Sequence, residues 1–212
     1  MSSIKLKHAS GNSMSIAAPA THPASDLSLK LPATIGTANQ VLRNSSTPGT
    51  LEFGGLGGGI TEVDQWTLTA NVTSNDVITS GLSRASMSGN ASPLGTGMSE
   101  SSGIFTFPST GKWFVIVKAK FSINNTDSCG LNTQVTVNNS DYNTVTSCYD
   151  GLNDSGGGTR DGGCSSFYFL DVTDVGQVKV RFTTSSLDSG SALLSSGTEI
   201  ATGFNFIRIG DT

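Results

Sequence analysis

The sequence predicts an all-β chain, a β-sandwich preceded by an extended arm of short strands. Three observations carry this expectation. Ser, Thr, Asn and Gly supply 97 of the 212 residues and charged residues only 13%, so the chain is poor in helix-favouring side chains and rich in turn formers and β-branched ones. Its apolar residues alternate with polar ones at a period of two, the pattern of half-buried strands. Clusters of Gly, Asn, Asp and Ser interrupt these runs at short intervals, as in all-β sandwiches.

Residues 1–53 read as the arm, 54–61 as a linker and 62–212 as the head. In the arm, Ile4 and Leu6 alternate with Lys5 and Lys7, Met14 and Ile16 with serines, and Leu27, Leu29 and Leu31 with Ser28 and Lys30. Each run predicts a strand. Gly11 and Asn12 mark a turn between the first two, and Pro19, Pro23 and Pro32 keep the segments from merging into one large sheet. So short and apolar-poor a segment does not bury a core of its own, so the arm is expected to dock on another chain or wrap a symmetry axis. The glycines from Gly54 to Gly59 give the linker its backbone freedom. Through Ile60 the charges sum to +2, which leaves −6 for the rest of a chain with net charge −4.

In the head, strands are expected at 66–68, 77–79, 103–107, 113–123, 133–137, 165–171, 177–184 and 202–209. Trp113, Val115 and Val117 fall on one face of their strand, and Phe114, Ile116 and Lys118 on the other. Phe204 and Phe206 crowd the last strand. One side of the 113–123 strand faces the sandwich and the other is free for a neighbouring subunit.

Several functions find no support in the residues. The longest apolar run, at 113–121, is interrupted by Lys118 and Lys120, far short of the roughly 20 residues of a membrane-spanning helix. The opening residues lack the basic segment, apolar stretch and cleavage site of an export signal, so classical secretion is not expected. An acidic chain without a basic run argues against nucleic acid. His8 and His22 both precede the linker and form no catalytic pattern, and no paired acids stand out, so no enzyme is expected. The linker glycines lack the Lys-Ser or Lys-Thr and the helix of a phosphate loop.

Cys129, Cys148 and Cys164 are odd in number, so at least one stays free or bonds another chain. Their spacings of 19 and 16 do not suit zinc. Cys148 and Cys164 flank a glycine-rich segment at 150–163, read as an exposed loop that a disulfide between them would hold. Tyr149, Asp150, Asp154, Arg160 and Asp161 make this segment the candidate binding surface for a glycan or protein. Its carboxylates are of the type calcium takes, but the spacing is not that of a helix-loop-helix calcium site, and an ordinary solvated loop with no cofactor is the reading adopted.

Two segments resemble known families. The run from Leu29 through Leu31-Pro32, Gly36, Gln40-Val41-Leu42, Gly49 and Leu51-Glu52-Phe53 resembles a segment of tailed-phage, cyanophage-like virion appendage and fibre proteins. Phe105-Thr106-Phe107, Gly111 and the alternating Trp113 to Val117 strand look like the signature of the complement component one q globular head, a relative of the tumour-necrosis-factor jelly roll. The ending from Gly203 to Gly210 is similar to that family's last central strand. The resemblances imply a jelly-roll head packed as a homotrimer. They further imply a non-enzymatic virion protein, a fibre or knob for host-surface attachment joined to other virion proteins through residues 1–53. A capsid decoration protein is the close alternative, since the chain has no long shaft before its head; a cellular jelly-roll adhesin is a third.

Overall fold

The computed structural model describes residues 3–7, 11, 13–17, 21, 23, 28–38, 40–55, 59–86, 93–124, 127–153 and 157–212. The chain divides into two compact units, Met1–Gly57 and Gly58–Thr212.

In the first unit, β1 (Ser3–Lys7) and β2 (Ser13–Ala17) pair antiparallel with Ile4 opposite Ile16 and Leu6 opposite Met14. A second hairpin joins β3 (Gln40–Asn44) to β4 (Leu51–Gly55) and places Leu42 opposite Phe53. Gly54 and Gly55 therefore belong to a strand rather than to the linker. Leu27 lies outside the described residues, and at 28–31 the strand expected around Leu29 and Leu31 does not form. Only Lys30 bridges, to Thr50, and both leucines are exposed; the adjacent Pro32 has no N–H to extend a ladder.

The second unit is a two-sheet sandwich. One sheet is built from β5 (Glu62–Leu68), β6 (Leu82–Arg84), β9 (Gly111–Asn124), β12 (Thr159–Val172), β14 (Ala192–Leu193) and β15 (Gly203–Gly210). Its order is β12-β9-β15-β5-β6, with β14 also paired to β9. The other holds β7 (Ser99–Ser101), β8 (Ile104–Thr106), β10 (Asp127–Thr136), β11 (Asn143–Leu152) and β13 (Lys179–Ser185), in the order β11-β10-β13-β8-β7. All named pairs are antiparallel, and the chain changes sheet after β6, β8, β9, β11, β12 and β13, the winding of a jelly roll.

Local chemistry explains the corners. Ser102 (φ 51°) and Gly103 (φ 82°) form the two-residue turn between β7 and β8, with both residues left-handed as the twist of a hairpin favours. Gly111 opens β9 at φ 141°, where a Cβ would strike the Gly210 carbonyl and the Arg208 side chain. The expected strand at 77–79 is a single bridge from Val77 to Thr183. There the Asp76 carboxylate takes the Val77 N–H at 2.7 Å, so the segment turns instead of extending a ladder.

The inward faces interlock as an aromatic core. Phe182 stacks on Phe204 at 4.2 Å, and Phe105 meets Trp66 edge-on at 5.1 Å. Trp113, Val115, Val117, Phe204 and Phe206 all lie in this core. Buried Asp64 is fully engaged: it accepts hydrogen bonds from the Trp66 indole at 2.9 Å, the Met98 N–H at 2.7 Å and the Arg84 guanidinium at 3.1 Å. That ties β5 and β6 to the segment leading into β7 and meets the cost of burying a carboxylate.

Candidate interaction surface

The strand registers assemble a graded surface on the outer face of the sheet containing β9. Residues opposite each other across a ladder share a face. Phe169 of β12 lies opposite Phe114 of β9, which lies opposite Ile207 of β15, which lies opposite Val63 of β5. The next row carries Phe167, Ile116, Asn205 and Gln65, with the Gln65 amide donating to Asn205 at 2.6 Å. Farther along come Ser165 beside Lys118, then Gly163 beside Lys120. The face is thus apolar at one end and polar at the other.

At the apolar end, Phe114 and Phe169 stack at 4.5 Å with an interplanar angle of 13°, and Phe167 meets Phe114 at 5.5 Å. Phe167 is 62% and Phe169 61% exposed, and Ile209 beside them is half-exposed. A groove of about 300 Å³ runs between Lys112, Trp113, Phe169, Leu170, Asp171 and Ile209, with Lys112 and Asp171 ion-paired at its rim. At the polar end, Lys120 pairs with Asp161 at 3.3 Å and Glu199 at 3.7 Å, while Lys118 donates to the Ile200 carbonyl at 3.0 Å.

The two ends of the glycine-rich segment are strand rather than loop. β11 runs through Leu152 and β12 begins at Thr159, so Tyr149, Asp150, Arg160 and Asp161 stand on strands. Alternation then separates them. Tyr149 faces outward from the sheet of β10, beside Gly130, with its hydroxyl 3.2 Å from the Ser185 hydroxyl. Asp161 faces outward from the other sheet, toward Lys120. Asp150 and Arg160 do meet, at 3.1 Å, where Asp150 also accepts the Gly163 N–H at 2.7 Å. Asp154 lies outside the described residues, as do His8 and His22. Among the described residues, no group of three or more His, Cys, Asp or Glu side chains is placed to hold a metal ion. No helix among them is long and apolar enough to cross a membrane.

Phe167 and Phe169 were not singled out from the sequence, although a signal was present. The run Phe167-Tyr168-Phe169 places aromatic side chains on both faces of one strand, more than a lone sandwich needs.

These features define a jelly-roll sandwich with one apolar sheet face open to solvent. The chain is similar in fold to the structure of Eiger TNF from S. frugiperda, at 13% identity and a TM-score of 0.55, covering 71% of this chain and 93% of that one. It also aligns with the crystal structure of murine APRIL at pH 5.0, at 14% identity and a TM-score of 0.49, covering 69% of this chain and 98% of that one. The likeness to the Eiger structure shows the fold, a jelly roll, as the 105–117 and 203–210 segments suggested. Comparisons with protein-family models and with curated protein sequences give no match.

Proposed function

We propose that the chain is a non-enzymatic structural protein of a tailed-phage virion. Its head assembles as a homotrimer through the face bearing Phe114, Phe167 and Phe169, and the trimer presents its loops to a host-surface glycan or protein. The observation that carries this reading is the exposed, mutually stacked phenylalanine cluster on a sheet face. A phenylalanine fully withdrawn from water contributes about 1.5–3 kcal/mol, so three per copy supply a strong drive to cover the face. Threefold packing of jelly rolls offers each copy two neighbours for that purpose.

The phage assignment rests on the likeness of residues 29–53 to virion appendage segments. The exposed Leu29, Leu31, Ile35 and Leu42 of that region support docking of the arm on other virion proteins. Three copies of each loop on one head would give avidity toward a repetitive cell surface. No cofactor enters this reading.

The test is to locate the chain in assembled particles by labelling and electron microscopy. A few copies at the tail support attachment. Many copies spread over the shell would replace attachment with capsid decoration, and absence from particles would overturn the virion assignment.

A further inference from the structure

Beyond assembly, the edge of the sandwich holds an arrangement that the proposed function does not use. β11 is an edge strand of one sheet and β12 an edge strand of the other. Cys148 sits on β11 opposite Leu131, and Cys164 on β12 opposite Ala119. Leu131 and Ala119 are both core residues, so both thiols point into the gap between the sheets. There Cys148 is buried and Cys164 packs, partly buried, against the same core. One residue beyond Cys148's neighbour, Asp150 reaches across the same gap to the Gly163 N–H at 2.7 Å and to Arg160 at 3.1 Å. The polar contacts hold the two edges in register independently of the sulfurs.

We propose that Cys148 and Cys164 are an oxidisable pair whose disulfide staples the two sheets along their β11–β12 edge. The oxidant is a low-molecular-weight disulfide such as oxidised glutathione. A thiolate of the pair attacks it, forming a mixed disulfide and expelling one small thiol; the second cysteine then attacks the mixed disulfide and expels the other. Two protein S–H bonds are lost and one S–S bond forms. The two electrons and two protons end on the two small thiols.

The surroundings favour this pairing over the others. The neighbouring thiol is the main influence on each member of the pair, holding Cys148 below its ordinary range and Cys164 above it. Cys129 is fully buried, and burial together with its hydrogen bond to Asp127 pushes its thiol up to about 12, which keeps it inert.

The experiment equilibrates the full chain in glutathione buffers from reducing to oxidising, then alkylates free thiols and reads intact and peptide masses. The expected result is a reversible loss of about 2 Da and a peptide cross-link joining Cys148 to Cys164. The melting temperature should rise by about 5–10 °C on oxidation, because the staple closes a loop of about 15 residues. In Cys164→Ser, a change at a half-exposed position, both the mass loss and the oxidation-dependent melting shift should vanish. Three free thiols under oxidising buffer, a mixed disulfide that never resolves, or a cross-link through Cys129 would each overturn the proposal.

Discussion

Asp127 is nearly buried at the start of β10, yet its surroundings keep it charged. Burial raises its carboxyl, but the Ser191 hydroxyl, the Asp188 and Ser128 N–H groups and the Cys129 thiol outweigh that and hold it below the ordinary 3.8. Asp150 follows the same logic: burial raises it, while the Gly163 and Gly151 N–H groups and Arg160 bring it down. A carboxyl whose pKa is lower folded than unfolded contributes stability that is present above the unfolded value and lost as pH falls through the folded one. The thermal midpoint should therefore hold steady near neutrality and fall below about pH 4, and Asp127→Asn should flatten part of that fall. Asp127→Ala leaves buried donors without a partner and should cost about 1–3 kcal/mol in urea denaturation. Backbone strain supplies a second residue-scale test. Gly103 has φ 82° with the Ile78 carbonyl against its missing Cβ, whereas Gly197 faces open space. Gly103→Ala should destabilise by about 1–3 kcal/mol, and Gly197→Ala should stay within about 0.5 kcal/mol.

At the scale of the element, β9 shows how one strand serves two surfaces. Its odd-numbered residues from Trp113 to Ile123 are buried, and its even-numbered residues face outward. Phe121→Ala should cost about 3–5 kcal/mol of folding stability. Phe114→Ser, on the other face of the same strand, should leave the circular dichroism spectrum of the sandwich unchanged and weaken assembly instead, as read by sedimentation. β9 and β15 were legible in the sequence because aliphatic and aromatic residues mark their inward positions at a strict period of two. β11 was not legible, because its inward positions carry Cys148 and Asp150, which read as loop chemistry, and because Gly162 and Gly163 at the start of β12 hid the strand that accompanies it. The short β6, β7 and β14 carry too few residues for any periodicity; their neighbours hold them by pairing. The apolar face was half legible: Phe114 and Ile116 were assigned to a free surface, but only the register of β12 on β9 brings Phe167 and Phe169 beside them.

Across the whole molecule, the sandwich solves the burial problem on its inner faces and leaves it open on one outer face. Edge strands β11 and β12 meet along one side, where the Asp150 contacts bridge the two sheets. The apolar face lies on the sheet that contains β12, where the proposed trimer would cover it. Replacing both Phe167 and Phe169 by Ser should yield a folded, dissociated head, with the melting transition of the sandwich retained. The mass of the full chain in solution at micromolar concentration, measured by sedimentation equilibrium, tests the central claim most directly. Three times the 21.8 kDa chain mass is the result expected if copies of the head cover each other's phenylalanine face; a single folded chain of 21.8 kDa would contradict it.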